Sequence, residues 1–418
     1  MEPPPGPAEV RMTRDALSPV RDYRARAERL VVGLMTGTSA DAVDAVLVRL
    51  SGEGLSARHE VLAESETPLP EDLRAEVLAL AGARTLEPER LMRLDVRLAE
   101  AYAEAVRDVA IQAGVRTAEL AAIGSHGQTV RHLPRTADGG RALTLQLGSA
   151  ATLAERTGVT VVNDFRRRDT AAGGEGAPLV PIADFWLFRS DRESRVLLNL
   201  GGMANLTWLR KGGALGDVLA FDTGPGNAVL DGLVRLGTQG LANHDESGGL
   251  AASGRAHEGL LEELLADPFF SLPPPRSTGR ERFGDAYAER LLGLGEGLGL
   301  TLEDTLATAV ELTAGSVERA IREHVAPHGR VDALYASGGG VRNVTLMTAI
   351  RRRLEGVRVG RLDELGVSPG TKEALAFAFL AHLTLCGEAG NVPGATGARH
   401  PVVLGSITPG ALPGGGRG

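Results

Sequence analysis

Two hydrophobic periods alternate along this chain, and the alternation runs through twice. Short β-branched runs over 30–35, 42–50 and 59–66 predict three strands in succession. Apolar residues three and four apart then predict helices over 71–83 and 87–113. Residues 121–124, 143–147 and 159–162 read as further strands, with a helix over 150–156. After a Gly-, Pro- and Arg-rich connector, 164–181, the theme restarts with strands over 196–200, 205–209 and 218–221. Helices follow over 227–236, 256–266, 285–294 and 302–324. A strand over 331–336, a helix over 344–354, a strand over 357–362 and a helix over 372–385 complete it. Three meandering strands followed by alternating helices and strands predict an α/β fold built twice, each time as a mixed sheet flanked by helices.

Three of these strands end in glycine-rich turns. They are Gly33-Leu34-Met35-Thr36-Gly37-Thr38-Ser39-Ala40-Asp41, Phe221-Asp222-Thr223-Gly224-Pro225-Gly226-Asn227 and Ser337-Gly338-Gly339-Gly340-Val341-Arg342-Asn343. Backbone N–H groups with no side chain in front of them suit a phosphate chain. One such turn more often simply turns the chain. Three, with acids beside two of them, predict a nucleotide held between two halves. A chain of 418 residues is long for one core. The expected division is 29–165 joined by 391–418, then 166–390, preceded by a disordered extension over 1–28.

Composition narrows the chemistry. The net charge of −8, with scattered basic residues, offers no footprint for nucleic acid. Lysine occurs only at Lys211 and Lys372, neither after a glycine turn, which excludes a Walker-type P-loop. The single cysteine, Cys386, has no partner for a disulfide, and no Cys/His group has zinc spacing. No apolar run approaches the roughly 20 residues that span a bilayer, and the N-terminus lacks a hydrophobic signal core. A cytoplasmic enzyme with no membrane partner is expected.

The duplicated layout resembles the actin, hexokinase and Hsp70 ATPase superfamily, whose two ribonuclease-H-like domains enclose a nucleotide cleft. A closer resemblance lies in Gly37 to Asp44, Gly124-Ser125-His126-Gly127-Gln128-Thr129, Asp164 to Asp169 with Gly173 to Leu179, and Asn199-Leu200-Gly201-Gly202. Phe221 to Asn227, Ser277 to Glu281, Gly338 to Gly340 and Glu373 to Phe377 continue it in the same order. This set is similar to the anhydro-N-acetylmuramic acid kinases. The resemblance implies a peptidoglycan-recycling kinase that turns 1,6-anhydro-N-acetylmuramic acid, ATP and water into N-acetylmuramic acid 6-phosphate and ADP. It also implies a homodimer. The family often has Gly, Gln and Lys where this chain has Ala42, Glu175 and Arg276.

Roles follow on that basis, each beside a plainer reading. Asp222, at a strand end, matches the family's catalytic base; the alternative is a turn-forming Asp bonded to its own backbone. Glu373 resembles a second acid that positions the water, or is a first-turn Glu favoured by the helix dipole. Gly37, Thr38 and Ser39, with Ala40, Ala42 and Val43, fit a β/γ-phosphate cradle. Asp41 and Asp44 are candidates for Mg²⁺, held through water, or solvated residues. Gly224, Gly226 and Asn227 face the phosphates from the second half, and Gly338, Gly339 and Gly340 the nucleoside; structural turns are the alternative. His126 and Gln128 are candidates for the sugar, as are Arg166 and Arg168, since the lactyl carboxylate needs a cation. Two rivals share the fold: a simple sugar kinase, and a nucleotide-gated binding protein of the actin/Hsp70 type.

Overall fold

Residues 18–410, except 38, 84, 86 and 136–139, are described here from a computed structural model. The first sheet begins with the antiparallel meander β1 (Glu28–Thr36), β2 (Ala42–Ser51) and β3 (Arg58–Pro68). β4 (Ala122–Ser125) joins β1 in parallel, and a two-stranded ribbon, β5 (Gln128–Leu133) with β6 (Leu143–Leu147), stands apart. β7 (Val161–Asn163) extends the sheet in parallel, and β13 (Ser406–Thr408) closes it antiparallel to β7. The second sheet repeats the plan with β8 (Arg195–Leu200), β9 (Met203–Leu209) and β10 (Leu219–Pro225) as its meander. β11 (Ala333–Ser337) and β12 (Arg358–Arg361) are its parallel pair. Both sheets therefore have the strand order of a ribonuclease-H-like unit, third-second-first-fourth-fifth.

Helices cover both faces of each sheet, which is why β1 and β2 are apolar almost throughout rather than alternating. The outer face of the first sheet packs on α2 (Glu71–Gly82), α3 (Pro88–Gln112) and α4 (Ala150–Thr157). That of the second packs on α7 (Asn227–Gly237), α8 (Asp285–Gly297), α9 (Leu302–Ala320) and α10 (Val344–Arg353). Between the inner faces lie α6 (Pro181–Phe188) and α11 (Pro369–Cys386), sharing one central core with both sheets. α11 is apolar all round because it is buried all round. Ser368 caps it by accepting from the Thr371 N–H at 3.2 Å. Gly33 and Gly124 let it lie directly on β1 and β4: a Cβ at either would sit 1.9 Å from the Ala374 carbonyl oxygen or 2.1 Å from that of Phe377. Among the described residues no helix is long and apolar enough to cross a membrane.

Four expectations change. The extension predicted over 1–28 holds α1 (Ser18–Ala25) in its described part, fixed by a 2.9 Å hydrogen bond between the Tyr23 hydroxyl and His382 Nδ1 and by Arg24 on the Leu385 carbonyl. Residues 1–17 lie outside the described residues, as do 411–418. The 164–181 connector contains α5 (Phe165–Ala171) and the start of α6. The hydrophobic pattern predicts no strand over 128–133, where β5 lies. Finally, α11 falls within 166–390 by number yet packs on β1, β2 and β4 of the first sheet, because its apolar circumference needs cover from both sides.

Candidate active site

β10 ends in a bulge between Asp222 and Gly224, which turns the Asp222 carboxylate out of the ladder. Its Oδ2 accepts from the Thr278 N–H at 2.8 Å. Its backbone N–H donates to the Arg276 carbonyl at 3.1 Å, while Arg276 Nε donates to the Asp222 carbonyl at 2.9 Å. Burial pushes the carboxyl up to about 6; the Thr278 N–H and Arg276 pull it down, and Glu281 adds a smaller push upward. Asp222 faces a cavity of about 420 Å³ between the sheets, whose walls include Glu373 and Lys372 from α11, Arg166 from α5 and Asp184 from α6. The two carboxylates expected to handle water thus share one space.

Lys372 sits in the first turn of a helix, where the dipole disfavours a cation. It is held there by Asp184, 3.1 Å from its Nζ, and Asp184 in turn accepts from the Thr207 hydroxyl at 2.8 Å. This chain links α11, α6 and β9. The sequence marks Lys372 only as one of two lysines; its place in the first turn of an otherwise apolar helix was the available signal.

The first glycine turn follows β1. Thr38 is outside the described residues. The Gly37 carbonyl accepts from Ala40 N–H at 3.1 Å and from Gln128 Nε2 at 3.2 Å, and Ser39 is exposed. Ala42 opens β2, and Val43 is buried in the outer core rather than facing a ligand. Asp44 lines a neighbouring cavity of about 350 Å³ with Glu64, Glu66, Ser368 and Thr371. Burial, with Glu66 and Glu373 nearby, pushes its carboxyl up to about 6. Asp41 is exposed and paired with Arg74 at 2.7 Å. Among the described residues no three His, Cys, Asp or Glu converge as metal ligands. A Mg²⁺ here would therefore draw most of its ligands from phosphate and water.

At the second sheet the glycine turns close on one another. Gly226 and Ala228 donate to the Gly202 carbonyl at 3.0 and 3.1 Å, and Asn227 donates to that of Gly201 at 2.8 Å. The Gly226 and Asn227 N–H groups, expected to face phosphate, are instead committed to carbonyls of the β8–β9 turn, because a packed turn must satisfy its buried polar groups. Gly338 and Gly340 press on the same turn: added Cβ atoms would lie 2.7 Å from Asn199 Oδ1 and 2.6 Å from Leu200 Cβ. Gly339 lies over Asn227, whose Nδ2 donates to the Leu200 carbonyl at 3.2 Å. Gly201 and Gly202 therefore sit at the centre of the cluster. The same strand-glycine pattern that marked the other turns also marks them, yet they are absent from the residues expected to bind the nucleotide.

The sugar candidates divide. Arg166 is half-buried, donates to His126 Nε2 at 2.9 Å and to the Gly176 carbonyl at 2.8 Å, and lines the Asp222 cavity. His126 is buried and neutral, since desolvation and the Arg166 charge hold its pKa well below the ordinary value. Gln128 is buried against Gly37. Arg168 is exposed and lines none of these cavities, because α5 turns it to the opposite side from Arg166. The run's acid, Asp169, is fully buried rather than solvated, accepting from Gly176, Asn391 and Thr396 at 2.8, 2.7 and 2.8 Å.

Residues 29–410 match the family model described as anhydro-N-acetylmuramic acid kinase. The chain belongs to this family. A kinase so named from Caldanaerobacter subterraneus subsp. tengcongensis is 44% identical over 91% of this chain and 97% of its own length. Those of Gloeobacter violaceus and Salinibacter ruber are 45% and 46% identical, over 91% and 92% of this chain and 98% and 97% of their own lengths. A more remote likeness, at 18% identity and a TM-score of 0.32, is to the ROK hexokinase from Thermus thermophilus, covering 84% of this chain and 99% of that one. Two of the three departures from the family pattern have local partners. Glu175 is 2.7 Å from Arg135 Nε, so its charge is compensated. Arg276 uses its guanidinium on four carbonyls, those of Asp222, Phe269, Phe270 and Leu272, binding the loop that seats Asp222.

Proposed function

We propose that this chain converts 1,6-anhydro-N-acetylmuramic acid, ATP and water into N-acetylmuramic acid 6-phosphate and ADP, serving peptidoglycan recycling in the cytoplasm. The observation that carries the reading is the pair Asp222 and Glu373 facing one cavity between the two sheets. Asp222 takes the proton from a water that attacks the anomeric carbon, and Glu373 orients that water. The bond from that carbon to the bridging oxygen breaks, and its electron pair stays on the oxygen at C6. This oxygen attacks the γ-phosphorus, and ADP leaves. A carboxyl near 6 suits the base, since it is ionised at neutral pH yet basic enough to accept a proton.

Arg166 supplies the cation beside the sugar, and the glycine turns at 37–41, 201–202 and 338–340 form the walls of the ATP site. Mg²⁺, when bound with ATP, supplies charge neutralisation at the phosphates. The assembly we propose is a homodimer, checked by light scattering. The reaction itself is tested with purified protein, the anhydro sugar and MgATP in ¹⁸O-water. The 6-phosphate should form with label at C1. Label elsewhere, or turnover of a reducing sugar only, would replace this reading with a simple sugar kinase. ATP binding with no sugar phosphorylated would favour a nucleotide-gated binding protein.

A further inference from the structure

Arg276 seats Asp222, and a second side chain reaches Arg276 from the end of a helix. The guanidinium is buried, its carbon 5.2 and 5.1 Å from the ring centres of Phe221 and Phe269. The carbonyls it meets belong to Asp222 and to Phe269, Phe270 and Leu272 just before it in the chain. Its Nη1 also lies 3.3 Å from His324 Nε2. His324 stands beyond α9 in one wider turn, Ile321–Val325, closed by the Ala326 N–H on the Ile321 carbonyl at 2.8 Å. Turns of this five-residue reach recur at functional sites. The imidazole also meets the Phe221 ring edge-on, 5.7 Å between centres at 88°. Phe221 directly precedes Asp222. His324 therefore packs against both the arginine and the strand end that together place the carboxylate.

A guanidinium has no lone pair to offer, so His324 Nε2 is the acceptor and the ring proton sits on Nδ1. The ring is neutral. Burial and the Arg276 charge hold its pKa below the ordinary value, Arg319 adding to this and Glu323 opposing it. His324 can thus hold the Arg276 cation without cancelling the charge that Asp222 feels. The position of Arg276 matters twice, because the Thr278 N–H on Asp222 Oδ2 comes from the same loop. We propose that His324 is a positioning residue for the base: it fixes Arg276, and through Arg276 it fixes the Asp222 carboxylate. This rests on the reaction proposed above, in which Asp222 is the base.

The test compares the wild type with His324→Leu, His324→Gln, Arg276→Met and the double variant His324→Leu/Arg276→Met. Each is assayed across pH with the anhydro sugar and MgATP. Each is also melted across pH beside its own Asp222→Asn counterpart. The gap between the two melts reports the Asp222 pKa without any turnover. His324→Leu should lower kcat about tenfold, since a small misplacement of a reacting group is costly. It should move the acid limb of kcat/KM to higher pH and widen the stability gap at pH 7, because a loosened Arg276 supports the Asp222 charge less well. His324→Gln offers an amide oxygen to Arg276 and should restore the limb and the gap. Beside Arg276→Met, the leucine change should add nothing to either. His324→Met replaces the leucine variant if that fails to fold. A limb and a gap left as in the wild type, or a shift that persists in full beside Arg276→Met, overturns the positioning role and leaves the reaction standing. No turnover by the wild type overturns the reaction, and the stability gaps then decide the positioning role by themselves.

Discussion

In the proposed reaction Asp222 is the base, at a position where burial disfavours its charge. Its carboxyl, near 6, lies above the ordinary value of about 3.9 expected of the unfolded chain. The folded protein therefore holds that proton more tightly, and stability falls as pH rises from about 4 through 6, then levels off. Asp222→Asn removes this penalty. It should be more stable than wild type at pH 7–8, by on the order of 1–2 kcal/mol, with the difference vanishing near pH 4. Melts across pH read this directly. The same variant should lose at least about a thousandfold in kcat while ATP affinity stays within a few-fold. In the wild type, kcat/KM should climb with unit slope to a plateau above about pH 6. Because Arg276 lowers the Asp222 pKa, Arg276→Met should move that limb to higher pH; an unmoved limb would separate the limb from Asp222. Asp222 was legible in sequence because a strand running into Asp-Thr-Gly says where the carboxylate goes. The seat around it was not. Arg276 is 54 residues away, and its contacts with the Asp222 backbone exist only after the loop folds back.

Elements decide whether Glu373 meets Asp222 at all, and α11 is the element concerned. Its first turn carries Lys372 and Glu373 into the cavity, and its next turns rest on Gly33 and Gly124. Gly33→Ala and Gly124→Ala should each force the helix off the sheet, since the new methyl would overlap backbone carbonyls that cannot turn aside. Each should cost about 1–3 kcal/mol and a larger share of kcat than of ATP affinity. Denaturant curves with paired kinetics check both halves of that expectation. Gly33 reads in sequence as the start of the first glycine-rich turn and Gly124 as the start of a motif, and only the helix above them gives them this packing role. The helix itself was visible from its apolar run, but a run that is apolar all round fixes no direction. α5 and β5 escaped for a different reason. Each is short, and His-Gly-Gln-Thr or Arg-Arg-Arg-Asp carries no period that distinguishes an element from a loop.

For the molecule as a whole, the central core argues against two independent halves. α6 and α11 bury Trp186, Phe377 and Phe379 together with the inner faces of both sheets, and Trp186 stacks on Phe379 at 3.9 Å. Separating the sheets would expose that layer, so they should unfold together. The chain offers its own reporters, for its two tryptophans lie in different places. Trp186 is in the central core and Trp208 in the core outside the second sheet. Trp208→Phe and Trp186→Phe each leave one reporter, and the two urea transitions should have the same midpoint relative to their own circular dichroism. Separate midpoints would mean separately folding units. The Asp184–Lys372 pair sits in this layer with only 4% and 12% of the side chains exposed. Lys372→Met leaves the Asp184 charge buried without its cation, at a cost of about 3–5 kcal/mol. Adding Asp184→Leu removes that charge and should recover most of the loss, since the Thr207 hydroxyl then lacks only one acceptor. If the layer joins the sheets, Lys372→Met lowers the midpoint seen by Trp208 as much as that seen by Trp186. If it belongs to one sheet alone, only the Trp186 signal moves.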